Sequence, residues 1–273
     1  MEMNQDFQVA AVQMVSSPLL EDNLRSAKRL ILQASQEGAQ LISLPEYFCF
    51  LGGTATDKLA VSEEPGQGRI QGFLSEMAAR CGVWLCGGSM PMRSPDADRV
   101  YNAQLVYSPT GELVARYDKI HLFNFSTETE SYDEAVSAMP GESLASFDCP
   151  FGRVGLSICY DLRFPELYRA LCPVDLILVP SAFTVTTGRA HWETLLRARA
   201  IENQAYVLAA AQGGVHFSGR RTWGHTLLVD PWGEVVTSLE LGEGLLIASI
   251  NRNRIDEVRQ SLPALQHRVI GMK

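Results

Sequence analysis

The sequence predicts an α/β fold, and three observations lead there. An apolar run, an amphipathic segment and a second apolar run open the chain at β-α-β spacing. A similar unit follows, and apolar runs stop abruptly at polar groups, as strands do where α/β folds place their sites. The 273 residues, 46% hydrophobic and 20% charged, supply a full core and suit one large layered domain, so 1–273 is expected to be a single domain.

Phe7 to Met14 is expected to be a strand and Glu21 to Glu37 an amphipathic helix on Leu24, Ala27, Lys28, Ile31 and Ala34, ended by Gly38. Leu41 to Leu44 is a second strand, stopping at Pro45-Glu46. A helix over about 68–80, a Gly82 stop and a strand from Val83 to Gly87 form the next unit. Tyr101 to Tyr107 and Glu112 to Tyr117 make a hairpin around Ser108-Pro109-Thr110-Gly111. The phrase Leu105 to Val114 recurs without gaps as Leu227 to Val236, each with Pro and then Gly in the turn. Two related halves of a two-sheet core explain the recurrence, and so does one turn solution used twice.

Leu122 to Gly141 is aperiodic and rich in Ser, Thr and Glu, which predicts a loop wrapping a site. A short helix over Phe164 to Leu171 precedes a strand from Asp175 to Val179, ending at Pro180-Ser181. His191 to Gln204 is a helix presenting Trp192, Leu195, Leu196, Ala198 and Ile201 to the core. Alternation returns in Ala205 to Ala211, Leu227 to Asp230 and Leu245 to Ile250. The tail over about 262–273 has few core residues and is assigned to a subunit interface.

With 23 Lys and Arg against 31 Asp and Glu, the net charge of -8 argues against nucleic-acid or anionic-membrane partners, whose phosphates need clustered cations. The polar, acidic start Met1 to Asp6 lacks the basic and apolar regions of a secretory signal, and no apolar stretch reaches spanning length. A cytoplasmic location is expected. Cys49, Cys81, Cys86, Cys149, Cys159 and Cys172 form no CxxC pair and no Cys/His ligand spacing, so neither disulfides nor a metal is expected.

Three apolar runs end at chemical groups: Ile42 to Glu46, Val114 to Lys119, and Val154 to Cys159. Strands converging at one rim would unite a carboxylate, an ammonium and a thiol. That set is complete for acyl transfer: the thiol attacks a carbonyl, the carboxylate takes its proton, and the ammonium stabilises the oxyanion. Backbone N–H groups opening into the next turn, Tyr160 first, would share that oxyanion. Taken singly, Glu46 also suits a solvated turn, Lys119 beside Asp118 a surface ion pair, and Cys159 a small buried apolar side chain. Gly155 to Cys159 is no serine-hydrolase elbow, because Cys replaces the last Gly of GxSxG, and no GxGxxG or P-loop follows the first strand.

Leu44-Pro45-Glu46, Tyr117 to Phe123 and Cys159 to Glu166 resemble, in order, the three motif blocks of the nitrilase (carbon-nitrogen hydrolase) superfamily. The resemblance implies an αββα four-layer sandwich that dimerises into an α-β-β-α-α-β-β-α assembly, with a cofactor-free Glu-Lys-Cys site. Glu46 then matches the general base, Lys119 the oxyanion lysine and Cys159 the nucleophile. A second glutamate in the loop after the lysine matches Glu134, with Glu128, Glu130 and Asp133 as neighbouring candidates.

Within the superfamily, Ser181-Ala182-Phe183, Thr187 to Glu193, Arg197 to Gln204 and Leu262 to Arg268 look most like the deaminated glutathione amidases, with the omega-amidases close behind. That likeness implies a small amide substrate carrying a carboxylate, cleaved through a thioester. Arg163, four residues past Cys159, suits a bidentate carboxylate clamp and equally a structural pair with Glu166 or Asp161. Phe183 and Thr187 fall in the family's pocket-lining stretch, and Phe183 suits the core as well. Asn124 departs from the aspartate common in relatives, in the loop that shapes the pocket entrance. A nitrilase-fold binding protein without turnover is the alternative, and intact Glu46, Lys119 and Cys159 argue against it.

Overall fold

The computed structural model describes residues 6–128 and 130–270; positions 1–5 and 271–273, used above for the start and the end of the tail, lie outside the described residues. The chain opens with β1 (Phe7–Gln13), α1 (Leu20–Gln36), β2 (Leu41–Ser43), α2 (Arg69–Cys81) and β3 (Trp84–Cys86). These three strands pair in parallel, as two successive β-α-β units require. β4 (Met90–Arg93), β5 (Val100–Tyr107) and β6 (Leu113–Asp118) continue the sheet antiparallel. β7 (Asn124–Ser126) and β8 (Ser131–Asp133) form a separate small hairpin, and β9 (Ala138–Met139) rejoins β5.

The second sheet runs β10 (Ser146–Cys149), β11 (Gly152–Leu156), β12 (Leu176–Leu178), β13 (Tyr206–Ala209), β14 (Leu227–Val229) and β15 (Val235–Ser238) in sequence order. α3 (Pro165–Leu171) and α4 (Val185–Asn203) are its crossovers. β16 (Gly244–Ile250) then returns to the first sheet, antiparallel to β1, before α5 (Arg252–Ser261).

Strand alternation creates the layers. Phe7, Val9 and Ala11 pack with Val154, Leu156 and Leu176 of the second sheet, while Ala10 and Val12 pack with Leu24, Ile31, Leu74 and Met77 of α1 and α2. On the far side Tyr168, Trp192 and Leu196 of α3 and α4 cover the second sheet. The result is the expected αββα sandwich.

The recurring hairpin phrase occupies matching places in the two halves. Gly111 N–H donates to Ser108 O and Gly233 N–H to Asp230 O, both at 2.9 Å. The register shifts at Val106/Tyr107 and at Leu228/Val229, which are aligned positions. Ser75 Oγ of α2 donates to Gly111 O at 2.6 Å, and Arg197 Nε of α4 donates to Gly233 O at 2.7 Å. Equivalent turns docked on equivalent helices favour related halves over a turn merely used twice.

Several local expectations need correction. Lys28 is exposed, and Leu30 completes the buried stripe of α1. α4 begins six residues before His191, at Val185, and Ile201 is 49% exposed with Ala198 only half-buried. Its inward face takes Arg199 instead, because both Nε and Nη2 reach Leu162 O, at 3.1 and 2.9 Å, and satisfy the buried guanidinium. The segment 122–141 contains the β7–β8 hairpin, which backbone pairing organises without apolar periodicity.

Candidate active site

Glu46 lies just beyond β2, in a turn where Tyr47 takes φ 58 and donates its N–H to Ser89 Oγ at 3.0 Å. The neighbouring chain presses close: a Cβ at Gly88, whose φ is 55, would stand 2.0 Å from Pro45 O. Only glycine permits that approach. Lys119 follows β6, its N–H donating to Asn102 O at 3.0 Å and its carbonyl accepting from Gly141 N–H at 2.8 Å. Asp118, the partner of Lys119 in the alternative reading as a surface ion pair, pairs instead with Arg116 at 2.9 Å. Lys119 thus turns into the interior.

Its Nζ lies 2.9 Å from Glu46 Oε1 and 2.7 Å from Glu134 Oε2, with the Lys119 and Glu46 side chains each 1% exposed. Glu134 also accepts from Tyr47 Oη at 2.9 Å, Asn102 Nδ2 at 3.0 Å and Phe123 N–H at 2.9 Å. Asn102 Nδ2 bridges to Glu46 Oε1 at 3.0 Å. A buried ion cluster persists when its charges are countered and hydrogen-bonded; here Lys119 holds both carboxylates and Asn102, Tyr47 and the Phe123 N–H bond to them, with Asn102 Oδ1 buried without a partner. Burial opposes ionisation of Glu134, but Lys119, Lys58 and the Phe123 N–H outweigh it and hold the carboxyl at about 2. Burial likewise opposes the Lys119 cation, and Glu134 and Glu46 overcome it, raising Lys119 well above the usual lysine range.

A pH consequence follows from the depressed Glu134 value. Its stabilising contribution is complete above about 4.5, the ordinary carboxyl value, and is lost as pH falls toward about 2. Denaturant midpoints for wild type should therefore drop across that window. Glu134→Gln should start lower and show a shallower drop; parallel curves would remove Glu134 from the acid response.

Cys159 enters from the second sheet. β11 stops at Leu156, Ser157 Oγ donates to Leu178 O at 2.9 Å, and Tyr168 Oη donates to Ser157 Oγ at 2.9 Å. Cys159 then takes φ 50, outside the extended region, so the strand has ended before the thiol. A left-handed non-glycine residue costs about 1–3 kcal/mol and persists where its surroundings fix it. Here Cys159 N–H donates to Pro180 O at 2.9 Å and Ile158 N–H to Asp161 Oδ2 at 2.8 Å. Asp161 also accepts from His121 N–H at 3.0 Å and Tyr117 Oη at 2.8 Å, tying the cysteine turn to the lysine turn.

Burial and the Glu46 carboxylate push the Cys159 thiol well above its usual range, against Lys119 and the Ala182 N–H. Cys159 and Glu46 line one cavity, with Lys119 beside them. Tyr160 follows in the same short helical turn, Cys159–Arg163, and lines the same cavity.

Arg163, Phe183 and Thr187 line this cavity with Glu46, Lys119 and Cys159. Arg163 pairs with neither Glu166 nor Asp161; its Nη1 lies 3.2 Å from His191 Nδ1, and its guanidinium stands over the Tyr160 and Phe183 rings at 5.6 and 5.4 Å. Thr184 Oγ1 caps α4 by accepting from Thr187 N–H at 3.3 Å, so the positive end of a 19-residue helix adjoins the cavity. All eight residues singled out from the sequence thus meet at one place. Tyr47, Asn102, Ala182, Thr184 and Arg220 join them unforeseen. Among the described residues no cluster of His, Cys, Asp or Glu is placed to hold a metal, and no helix is long and apolar enough to cross a membrane.

The carbon-nitrogen hydrolase family model matches residues 8–260. A deaminated glutathione amidase of Synechocystis sp. (strain PCC 6803 / GT-S) is 44% identical over 266 residues, covering 95% of this chain and 97% of that protein. An omega-amidase of Xenopus laevis is 38% identical over 265 residues, covering 96% and 95%. Among solved structures, a glutamate-to-glutamine variant of the amidase from Nesterenkonia sp. AN1 superposes with a TM-score of 0.79 at 25% identity, over 98% of this chain and 95% of that one. That variant shows covalent addition of the acetamide moiety of fluoroacetamide at its active-site cysteine. With sheets, strand-end groups and family match in agreement, the chain belongs to the carbon-nitrogen hydrolase family of the nitrilase superfamily and is an amide-hydrolysing enzyme.

Proposed function

We propose that the enzyme hydrolyses the side-chain amide of deaminated glutathione, releasing 2-oxoglutarate and cysteinylglycine. The observation that carries the chemistry is that Cys159, Glu46 and a buried Lys119 share one cavity, with Lys119 Nζ 2.9 Å from the Glu46 carboxylate. As Sγ bonds to the amide carbon, its proton passes to Glu46, so the thiolate never has to exist free in a site that disfavours it. The carbonyl becomes an oxyanion held by Lys119 Nζ and Tyr160 N–H. Glu46 gives its proton to the departing nitrogen, the C–N bond breaks and a thioester remains. Water then loses a proton to Glu46, attacks the thioester, and returns thiol and carboxylate to their starting states. Glu134 keeps Lys119 charged and aimed.

Arg163 and the α4 N-terminus supply positive potential for the 2-oxo acid carboxylate. Beside the thiol, the space open to a water-sized sphere is about 20 Å³, room for one water, so the acyl part enters by turning aside half-buried wall side chains such as Phe123 and Arg163. A second chamber of about 570 Å³ shares Tyr47, Phe123 and Arg220 with that wall, which suits a leaving group larger than ammonia. A reducing, cytoplasmic setting fits six free cysteines. Pairing into a dimer belongs to the same proposal, supported by tail residues Val269 and Ile270, 87% and 88% exposed.

The omega-amidase alternative, with 2-oxoglutaramate releasing ammonia, rests on the Xenopus laevis relative. The ratio of kcat/KM for deaminated glutathione over 2-oxoglutaramate separates the two. A ratio above about ten is expected, because burying the leaving group should add more than 1.4 kcal/mol of transition-state binding. A ratio below one would assign the omega-amidase activity.

A further inference from the structure

Several features outside the acyl-transfer cluster carry charge without a partner. Among the described residues no carboxylate forms an ion pair with Lys58 or Arg220. Both line the larger chamber, and Arg220 lines the thiol cavity as well, so it stands at their junction. Arg220 is fixed on two sides: its Nη2 donates to Ala182 O at 3.1 Å, and its guanidinium stands 5.1 Å from the Tyr132 ring centroid. Its Nε is buried without any hydrogen-bond partner, a donor left unsatisfied in a cavity wall. Lys58 is half-buried, with Nζ 6.0 Å from the Tyr47 ring centroid.

The chamber also has acidic residues, each bonded outside the Arg220–Lys58 pair: Glu130 Oε1 accepts from Thr186 Oγ1 at 3.1 Å, Asp133 from Ala135 N–H at 3.1 Å, and Glu134 holds Lys119, while Glu130 Oε2 is buried without a partner. Burial and the Lys119 and Arg220 charges pull Lys58 below its ordinary value, against the attraction of Glu134. An anion in the chamber would relieve that repulsion.

We infer that Arg220 and Lys58 form an outer anion subsite that binds the carboxylate at the far end of the leaving group. This rests on the proposed leaving group, a dipeptide that ends in a glycine carboxylate. Arg163 and the outer pair then hold the two charged ends of one substrate, with the scissile amide between them at Cys159. Two fixed clamps set the length of chain that reaches the thiol correctly, so the subsite selects the leaving group as well as binding it.

The test compares deaminated glutathione with its C-terminal primary amide, which keeps the scissile bond and the length but removes the outer charge. Wild type should favour the free acid in kcat/KM by about tenfold to a hundredfold, as expected for a charge-assisted hydrogen bond to a buried donor. Arg220→Met and Lys58→Met should each shrink that preference, and the double variant should bring it within twofold of unity. A purely structural role would lower both substrates together and leave the preference intact. Equal rates in wild type, or a preference that survives in the double variant, overturns the subsite. Wild type that turns over 2-oxoglutaramate but neither long substrate removes the dipeptide leaving group itself, and the subsite with it.

Discussion

Cys159→Ala is expected to reduce amide hydrolysis to the background rate while the protein stays folded. The hydroxyls at and behind the cavity are committed to other partners: Thr184 Oγ1 and Thr187 Oγ1 to each other at 3.0 Å, Tyr47 Oη to Glu134 at 2.9 Å and Ser157 Oγ to Leu178 O at 2.9 Å, while Glu46, Lys119 and Glu134 hold one another. Fold survival follows from where the strain lies. The φ of 50 at Cys159 is set by backbone bonds to Pro180 and by the Asp161 brace, which an alanine keeps. The thermal midpoint should move by no more than the equivalent of about 1 kcal/mol for the lost sulfur. Cys159→Gly should be equally inactive yet match or exceed the alanine variant in stability, because glycine takes the left-handed region without a Cβ clash. Residual turnover by the alanine variant above that of a mock preparation would contradict the nucleophile.

Glu46→Gln is the second large effect. Glutamine keeps the size and one acceptor for Lys119 and Asn102, which lie 2.9 and 3.0 Å from Glu46 Oε1, but cannot take a proton from the thiol. Since burial holds the Cys159 proton tightly, loss of the base should cost about 10²–10⁴ in kcat/KM. Stability should fall less than in Lys119→Met, which would strand Glu46 and Glu134 as buried carboxylates, at roughly 3–5 kcal/mol for an uncompensated partner. Wild-type kcat/KM in Glu46→Gln would return Glu46 to a turn residue.

Which parts were legible in the sequence follows from what periodicity encodes. The β-α-β opening could be read because α1 and α2 are amphipathic and Gly82, at φ 64, marks a helix end. Alternation identified 245–250 as a strand but says nothing of its partner, so the closure of β16 onto β1 across the whole chain was invisible. Glu46, Lys119 and Cys159 stood out because each ends an apolar run. Asn102 left a signal, with Gln104 one of two amides in an otherwise apolar strand Val100–Tyr107, whereas Tyr47 hid among aromatic neighbours. Arg220 gave no spacing at all, since it sits in a loop beside Arg221 and gains meaning only from Ala182 and Tyr132 across the cavity. The backbone of Cys159 was equally unreadable, because side chains with a Cβ rarely take positive φ.

The chain's six cysteines give the most direct test of the account. Burial raises the thiols of Cys49, Cys86, Cys149 and Cys172 as it does that of Cys159, but of the six cysteines only Cys159 lines the cavity with Glu46 and Lys119. Incubation with an electrophilic amide such as fluoroacetamide, followed by intact-mass and peptide-level mass spectrometry, should give one adduct per chain, located on Cys159, forming in step with loss of activity and slowed by excess substrate. An adduct on any other cysteine, or activity lost without modification of Cys159, would contradict the account.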